Sequence, residues 1–448
     1  MITKGKVIPR IEELEYYFEN YPEHPKEATI KADMCRLGQR FSPAAIKFYA
    51  GSHPRSHYIF SFDTSEEEEM GKEVSLGVPE DLRIKGGRYN LRPTVIQTRV
   101  ALNSPYLIDV VDGRLMVCDN DPSKPIAEVE KREMSKYYTM KLKDGTPVWR
   151  ICPELCWGYM CCITILHHCQ FFDKGWQCKF CDMNANVTRQ KSVRPIVAYK
   201  SVEAVREAVK IVFGTDEYCE AVISDGLRVM ERRPHVIILE GGTIIRKITD
   251  LEDTDFYLQY VKAIKEEVGS RFELVIGLEA KSKEDNQKLK DAGVDVVLQD
   301  MEIWDEKLFP ICCPGKAATK GSRDEWVRQM VEAVDVFGEG NVVTALVAGV
   351  EMAQPWGYKD VDAAVNSTTE GIDYLLSHGV HPELFVWCIE AGSALGGHPP
   401  IPLEYYVKLN LNYVRLWKKY RQPVPAYIQP IGAGNSVFHY SPYIDTYH

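Results

Sequence analysis

From residue 157 onward the chain alternates between two kinds of hydrophobic pattern. Short apolar runs at Tyr159–Leu166, Val236–Leu239, Phe272–Leu278, Val294–Met301, Val342–Val350 and Leu384–Ile389 read as buried strands. Between and after them, apolar residues recur with helical spacing at Val202–Val212, Asp255–Val268, Lys283–Ala292, Asp324–Phe337, Val361–Leu376 and Leu403–Tyr420. Six strand–helix units in series predict parallel strands joined by right-handed crossovers. The fold class expected is α/β, a partial (β/α)6 TIM-like barrel over residues 151–422. A doubly wound open sheet is the alternative.

The first 150 residues lack this rhythm and read as an α+β extension. Ile11–Tyr21 and Ser42–Tyr49 have helical patterning. Leu107–Val111, Leu115–Cys118 and Thr139–Ile151 read as short strands, with Asp-Gly turns at Asp112-Gly113 and Asp144-Gly145. The acidic run Glu66–Glu69 reads as a solvated loop. Residues 423–448, rich in Pro and Gly, form a C-terminal tail expected to pack on the core. The extension and tail are expected to cover the open side of an incomplete barrel.

Composition narrows the function classes. The chain has 448 residues, 45% hydrophobic and 26% charged, which suits a globular protein. A formal charge of −10 argues against nucleic acid as the main partner. No apolar run is long enough to predict a membrane span, and Met1–Val7 lacks a signal-peptide core. Thirteen cysteines in such a chain point to a reducing, cytoplasmic setting, with thiols as metal ligands or core residues.

Seven of those cysteines fall between Cys152 and Cys181. Cys169, Cys178 and Cys181 form C-x8-C-x2-C just after the first predicted strand. Three thiolates on one loop suit a [4Fe–4S] cluster with one iron left open. Structural zinc and redox pairs use the C-x2-C spacing as well, and both stay open at this point. Cys161 and Cys162 lie on the first strand and point to opposite faces. Cys152 and Cys156 precede it, and whether any of these four binds a second metal is left open.

The predicted strands share another feature: they end in polar residues, mostly carboxylates. These are Glu240, Glu279, Glu302, Glu351 and Glu390. Such groups gather at one mouth of a parallel barrel, although each one alone can cap the next helix. Glu240-Gly241-Gly242-Thr243 adds two glycines that permit close backbone approach.

The cysteine loop, with Phe180 just before its last cysteine, resembles that of radical S-adenosylmethionine enzymes. Those enzymes usually show C-x3-C-x2-C, so the first gap here is longer. The segment Asp300–Pro310, leading to Cys312-Cys313-Pro314-Gly315-Lys316, resembles the biotin synthase, hydrogenase-maturase and methylornithine synthase branch. The resemblance covers about residues 157–420. It implies that Cys169, Cys178 and Cys181 hold a [4Fe–4S] cluster and that S-adenosylmethionine completes it. It further implies that Gly241 and Gly242, flanked by Glu240 and Thr243, meet the methionyl ammonium and that Glu302 meets the ribose. Lys316 or Arg323 would pair with the methionyl carboxylate, and the Gly392-Ser393 turn would lie near the adenine. The implied reaction forms a 5′-deoxyadenosyl radical that takes hydrogen from a small polar substrate, with Glu279 and Glu351 on the substrate side. An electron donor such as flavodoxin or ferredoxin is the implied partner. The alternative is a non-catalytic iron–sulfur or zinc protein of the same fold.

Overall fold

A computed structural model describes residues 9–49, 78–132, 134–191, 197–214, 223–224, 227–228 and 234–423. The acidic run Glu66–Glu69 and all but the first residue of the C-terminal tail lie outside the described residues.

The strands, in chain order, are β1 (Arg40–Phe41), β2 (Asp81–Gly86), β3 (Leu91–Gln97), β4 (Tyr106–Val111), β5 (Arg114–Asp119), β6 (Pro125–Glu130), β7 (Glu154–Leu155) and β8 (Met160–Leu166). They continue with β9 (Ile223–Ser224), β10 (Leu227–Arg228), β11 (Val236–Gly241), β12 (Glu273–Gly277), β13 (Val296–Leu298), β14 (Val342–Ala348) and β15 (Val380–Val386). The main sheet runs β15-β14-β13-β12-β11-β8-β7. All its neighbours are parallel except the short β7 edge. The strands succeed one another in sequence order with no reversal, so the doubly wound alternative fails: it requires a switch point. The sheet is curled into a half-barrel, and β8 and β15 do not pair.

Side chains alternate between the two faces of this sheet. Cys161, Ile163, Ile237, Leu239, Leu274, Ile276 and Val297 pack outward toward the helices. Met160, Cys162, Val236, Ile238, Val275, Val296 and Val343 form a separate inner cluster. Four of the helices between these strands start at a side-chain cap. Ser201, Ser282, Ser322 and Asp360 each accept a hydrogen bond from a backbone N–H of the first turn.

The N-terminal region forms a second sheet in the order β1-β4-β5-β6-β2-β3. Thr139–Ile151 is not a strand. It runs from the end of one 3-10 turn, Lys136–Thr139, to a second, Val148–Arg150, and across the Asp144-Gly145 turn only Lys141 and Pro147 form an isolated bridge. Helix Lys26–Leu37, which weak amphipathic patterning concealed, carries buried charges instead of an apolar stripe. Asp33 sits between Arg10 and Arg36 and also accepts from Tyr106 Oη at 2.6 Å.

This region touches both open edges of the half-barrel. On the β8 side, Asp81 Oδ2 accepts from Trp157 N at 2.9 Å, and Val95 joins the inner apolar cluster. On the β15 side, Arg99 donates to Ile389 O at 2.6 Å and Arg36 donates to Ile401 O at 3.2 Å. His24 pairs with Asn410 at 2.9 Å.

Candidate functional site

The inner face of the half-barrel opens into a cavity of about 280 Å³ at the C-terminal ends of the strands. Every second residue of the strands and their extensions reaches it: Met160 and Cys162, Ile238 and Glu240, Gly277 and Glu279, Leu298, Asp300 and Glu302, Ala345 and Val347, Glu383, Phe385 and Trp387. Cys169, Cys178, Cys181 and Phe180 line the same cavity from the loop after β8.

That loop is tied down along its length. Phe172 N donates to Cys169 O at 3.1 Å, and Cys181 N donates to Cys178 O at 3.1 Å. Gln170 N donates to Thr243 O at 2.9 Å, while Gln170 Oε1 accepts from Ile245 N and Arg246 N. Lys179 N donates to Cys312 O at 2.8 Å, and Lys179 O accepts from Leu395 N at 3.1 Å. The loop also lies directly on the second-strand glycines. A Cβ on Gly242 would sit 2.5 Å from Cys169 N and closer still to the His168 carbonyl. Gly242 is therefore required by the cysteine loop itself.

Burial pushes the Cys169 and Cys181 thiols up, and the charges of the neighbouring thiolates push in the same direction. Cys181 feels Cys178 and Cys169, and Cys169 feels Cys178, so the three sulfurs share one electrostatic field. Among the described residues no three His, Cys, Asp or Glu side chains converge tightly enough to hold a single ion. Three thiols facing one cavity from a fixed loop fit a polynuclear cluster, whose irons would stabilise the thiolate forms that burial disfavours.

Around this loop the other sequence-predicted residues separate into two groups. Glu240 and Thr243 line the cavity, and Glu240 Oε1 accepts from Thr164 Oγ1 at 2.9 Å. Burial raises the Glu240 carboxyl, partly offset by hydrogen bonds from Cys162 and Thr164. Glu302 adopts a left-handed backbone, φ 73°, and pairs with Lys316 at 2.7 Å. Burial lowers Lys316, but the charges of Glu302, Cys178, Cys313 and Asp300 together more than reverse this and leave it above its ordinary value. Glu279 also lines the cavity; burial raises its carboxyl, and Lys320, 3.8 Å away, offsets part of the rise.

Arg323 and Glu351 do not line the cavity. Arg323 stacks its guanidinium over Trp304, 4.3 Å from the ring centre, and pairs with Asp324. Glu351 was expected at the mouth, and the structure corrects this. After β14 the chain turns at Gly349, φ 106°, into a 3-10 turn that swings Glu351 away. Its carboxylate accepts from Gly349 N at 2.9 Å and from the hydroxyls of Thr368 and Tyr405. Burial raises its pKa.

The remaining thiols are placed as follows. Cys161 packs outward and Cys162 faces the cavity. Cys156 contacts Met160 Sδ at 3.5 Å, and Cys152 lies against Cys161. Cys388 reaches the cavity and donates to Cys35 O at 3.3 Å.

Sequence reading missed Asp300, Glu383, Trp387 and Tyr257, all of which line the cavity. Two-residue alternation was the available signal. Asp300 stands two before Glu302, and Glu383 and Phe385 share a face of β15. Asp300 Oδ1 accepts from Ala345 N at 2.8 Å, and Ala345 is in register with Glu383. Burial first, then the charge of Glu302, raises the Asp300 carboxyl to about 7.

No protein-family model matches the chain. It is 23% identical over 315 residues to a bacteriochlorophyllide c C-7(1)-hydroxylase of Chlorobaculum limnaeum, which spans 67% of this chain and 70% of that protein. Among solved structures, it superposes on methylornithine synthase with a TM-score of 0.41 at 17% identity, covering 63% of this chain and 72% of the other. A maturase of the [FeFe]-hydrogenase gives 0.39 at 14% identity, covering 67% and 62%. Coproporphyrinogen III oxidase from Escherichia coli, described as a radical SAM enzyme, gives 0.31 at 11%, covering 42% and 41%. The chain is thus similar along two thirds of its sequence to that hydroxylase, and one of the structures it superposes on in part is described as a radical SAM enzyme.

Proposed function

We propose that this chain is a radical S-adenosylmethionine enzyme whose [4Fe–4S] cluster is held by Cys169, Cys178 and Cys181. The observation that supports this reading most is the convergence of those three thiols, the Gly241-Gly242 segment and the Glu302–Lys316 pair on one cavity at the strand ends. Held by Cys169, Cys178 and Cys181, such a cluster would supply one-electron reduction of bound S-adenosylmethionine, the chemistry that would start hydrogen abstraction from a substrate.

The chain's own residues orient and exclude. Gly241 and Gly242 keep the approach free of side chains, with the Gly242 carbonyl receiving Tyr257 Oη at 3.3 Å. Glu302 offers carboxylate oxygens to hydroxyl groups, and Lys316 offers an ammonium to a carboxylate. The assignment of Lys316 over Arg323 for that role follows from their placement, since Lys316 lines the cavity. Met160, Met183, Phe385 and Trp387 give the cavity an apolar wall that keeps water from a reactive intermediate. Glu279, Asp300 and Glu383 leave carboxyl groups on the substrate side. A small substrate with an apolar body and a polar or cationic group suits that lining. The hydroxylase relative acts on a bacteriochlorophyllide, and activation of a carbon–hydrogen bond is what this reading shares with it. A flavodoxin- or ferredoxin-type protein is the expected reductant. Among the described residues no helix is long and apolar enough to cross a membrane.

The test is anaerobic reconstitution of the full chain with iron and sulfide. The reading expects a visible thiolate-to-iron absorbance and, with dithionite, release of 5′-deoxyadenosine from S-adenosylmethionine. Stoichiometric zinc without that absorbance would overturn it.

A further inference from the structure

Cys313 is fully buried and does not line the cavity. Two backbone hydrogen bonds nevertheless hold its segment against the cysteine loop. Lys179 N donates to Cys312 O at 2.8 Å, and Gly315 N donates to Trp176 O at 2.9 Å. These bonds bracket Cys178 on one segment and Cys313 on the other, and set the two side chains against each other. Phe171 fixes the pair further: a Cβ on Gly315 would lie 2.5 Å from its ring, so the segments are in close contact. Cys178 therefore has the cavity on one side and a buried thiol on the other.

A thiol is a weak donor, and a thiolate is a far better acceptor than a second thiol. Once Cys178 carries iron, the contact gains the strength that charge gives a hydrogen bond. We propose that Cys313 is a positioning residue for the iron–sulfur cluster: its S–H donates to the Cys178 sulfur and raises the cluster's reduction potential. This rests on the reading that Cys169, Cys178 and Cys181 hold a cluster. Hydrogen bonds to the sulfurs are among the factors that set such potentials. The reduced cluster carries one more negative charge than the oxidised one, so a donor aimed at a ligand sulfur stabilises it more. In the redox step the cluster takes one electron from an external reductant, and Cys313 keeps its proton and is not oxidised.

The experiment is an EPR-monitored potentiometric titration of the anaerobically reconstituted full chain, with dithionite as reductant. Cys313→Ala, Cys313→Val and Cys313→Ser are compared with the wild type, each with iron and sulfide quantified. The expected result is a wild-type cluster content and a midpoint potential shifted to more negative values in Cys313→Ala. Cys313→Ser, which keeps a donor, should recover part of the shift. Cys313→Val fills the thiol's space without a donor and should behave as Cys313→Ala does, so either carries the test if the other fails to load. An unshifted midpoint in a loaded donor-free variant overturns the proposal. So does loss of iron from all three variants, which would make Cys313 a ligand or a scaffold. A wild-type chain that binds no cluster would instead sink the underlying reading, and the proposal with it.

Discussion

Replacing Gly242 by Ala tests whether the second-strand glycines exist for the cysteine loop. The new methyl would stand 2.5 Å from Cys169 N, and ordinary contact begins at about 3.4 Å, so the loop must retreat by roughly 1 Å. Every atom in the way is backbone of His168 or Cys169, so no side-chain rotation relieves the clash. Overpacking of this kind costs about 1–3 kcal/mol. The strain falls on a segment whose next residue, Gln170, is bonded to Thr243 O, so Cys169 shifts relative to Cys178 and Cys181. Gly242→Ala should remain folded but lose most of its reconstituted iron. Gly397→Ala is the control, because nothing lies within 4 Å of a Cβ there. The assay is iron and sulfide per chain after anaerobic reconstitution, with a thermal melt of each apoprotein. A Gly242→Ala chain with full iron content and an unchanged melting temperature would refute the reasoning.

Glu302→Ala should keep the cluster and weaken S-adenosylmethionine binding by about 1.5–3 kcal/mol, roughly ten- to a hundredfold, measured by equilibrium dialysis; unchanged affinity would remove Glu302 from the cofactor site. Glu351→Ala strands the Thr368 and Tyr405 hydroxyls and the Gly349 N–H. It should therefore cost about 1–3 kcal/mol in denaturant unfolding while leaving S-adenosylmethionine cleavage intact, and lost cleavage at unchanged stability would contradict that assignment. Asp300, raised from 3.8 to about 7, gives a stability term fully present below its ordinary value and lost as pH rises through about 7. The stability of the wild type relative to Asp300→Asn should accordingly fall between pH 4 and pH 8, roughly, in thermal melts. A flat difference would show that Asp300 is not held protonated by its surroundings.

The strands and helices of the barrel were legible because their patterns are long and their caps are local. Strand six was placed late, from Leu384, because His381-Pro382-Glu383 does not read as strand. The structure tolerates Pro382 because β15 is an edge. The loop of Cys169, Cys178 and Cys181 could be located from spacing alone. What surrounds it could not. Asp300 and Glu383 reach the cavity through strand alternation, while attention to strand ends favours Glu351, which a single glycine turn carries elsewhere. Cys312 and Gly315, on either side of Cys313, are paired with the cysteine loop by backbone bonds between segments more than a hundred residues apart, and no local pattern encodes that.

The seam between the N-terminal region and the last strand has a consequence for how the chain is made. His24 meets Asn410 across 386 residues of sequence, and Cys388 meets Cys35 O across 353. At ribosomal rates of about 5–20 residues per second, helix Lys26–Leu37 leaves the ribosome roughly 20–80 s before its partners exist. During that wait its charged groups are served locally, by Arg10, Asp33, Arg36 and Tyr106. The early region can thus stand ready as a template, and translation of the final strand and helix closes the molecule around the cavity.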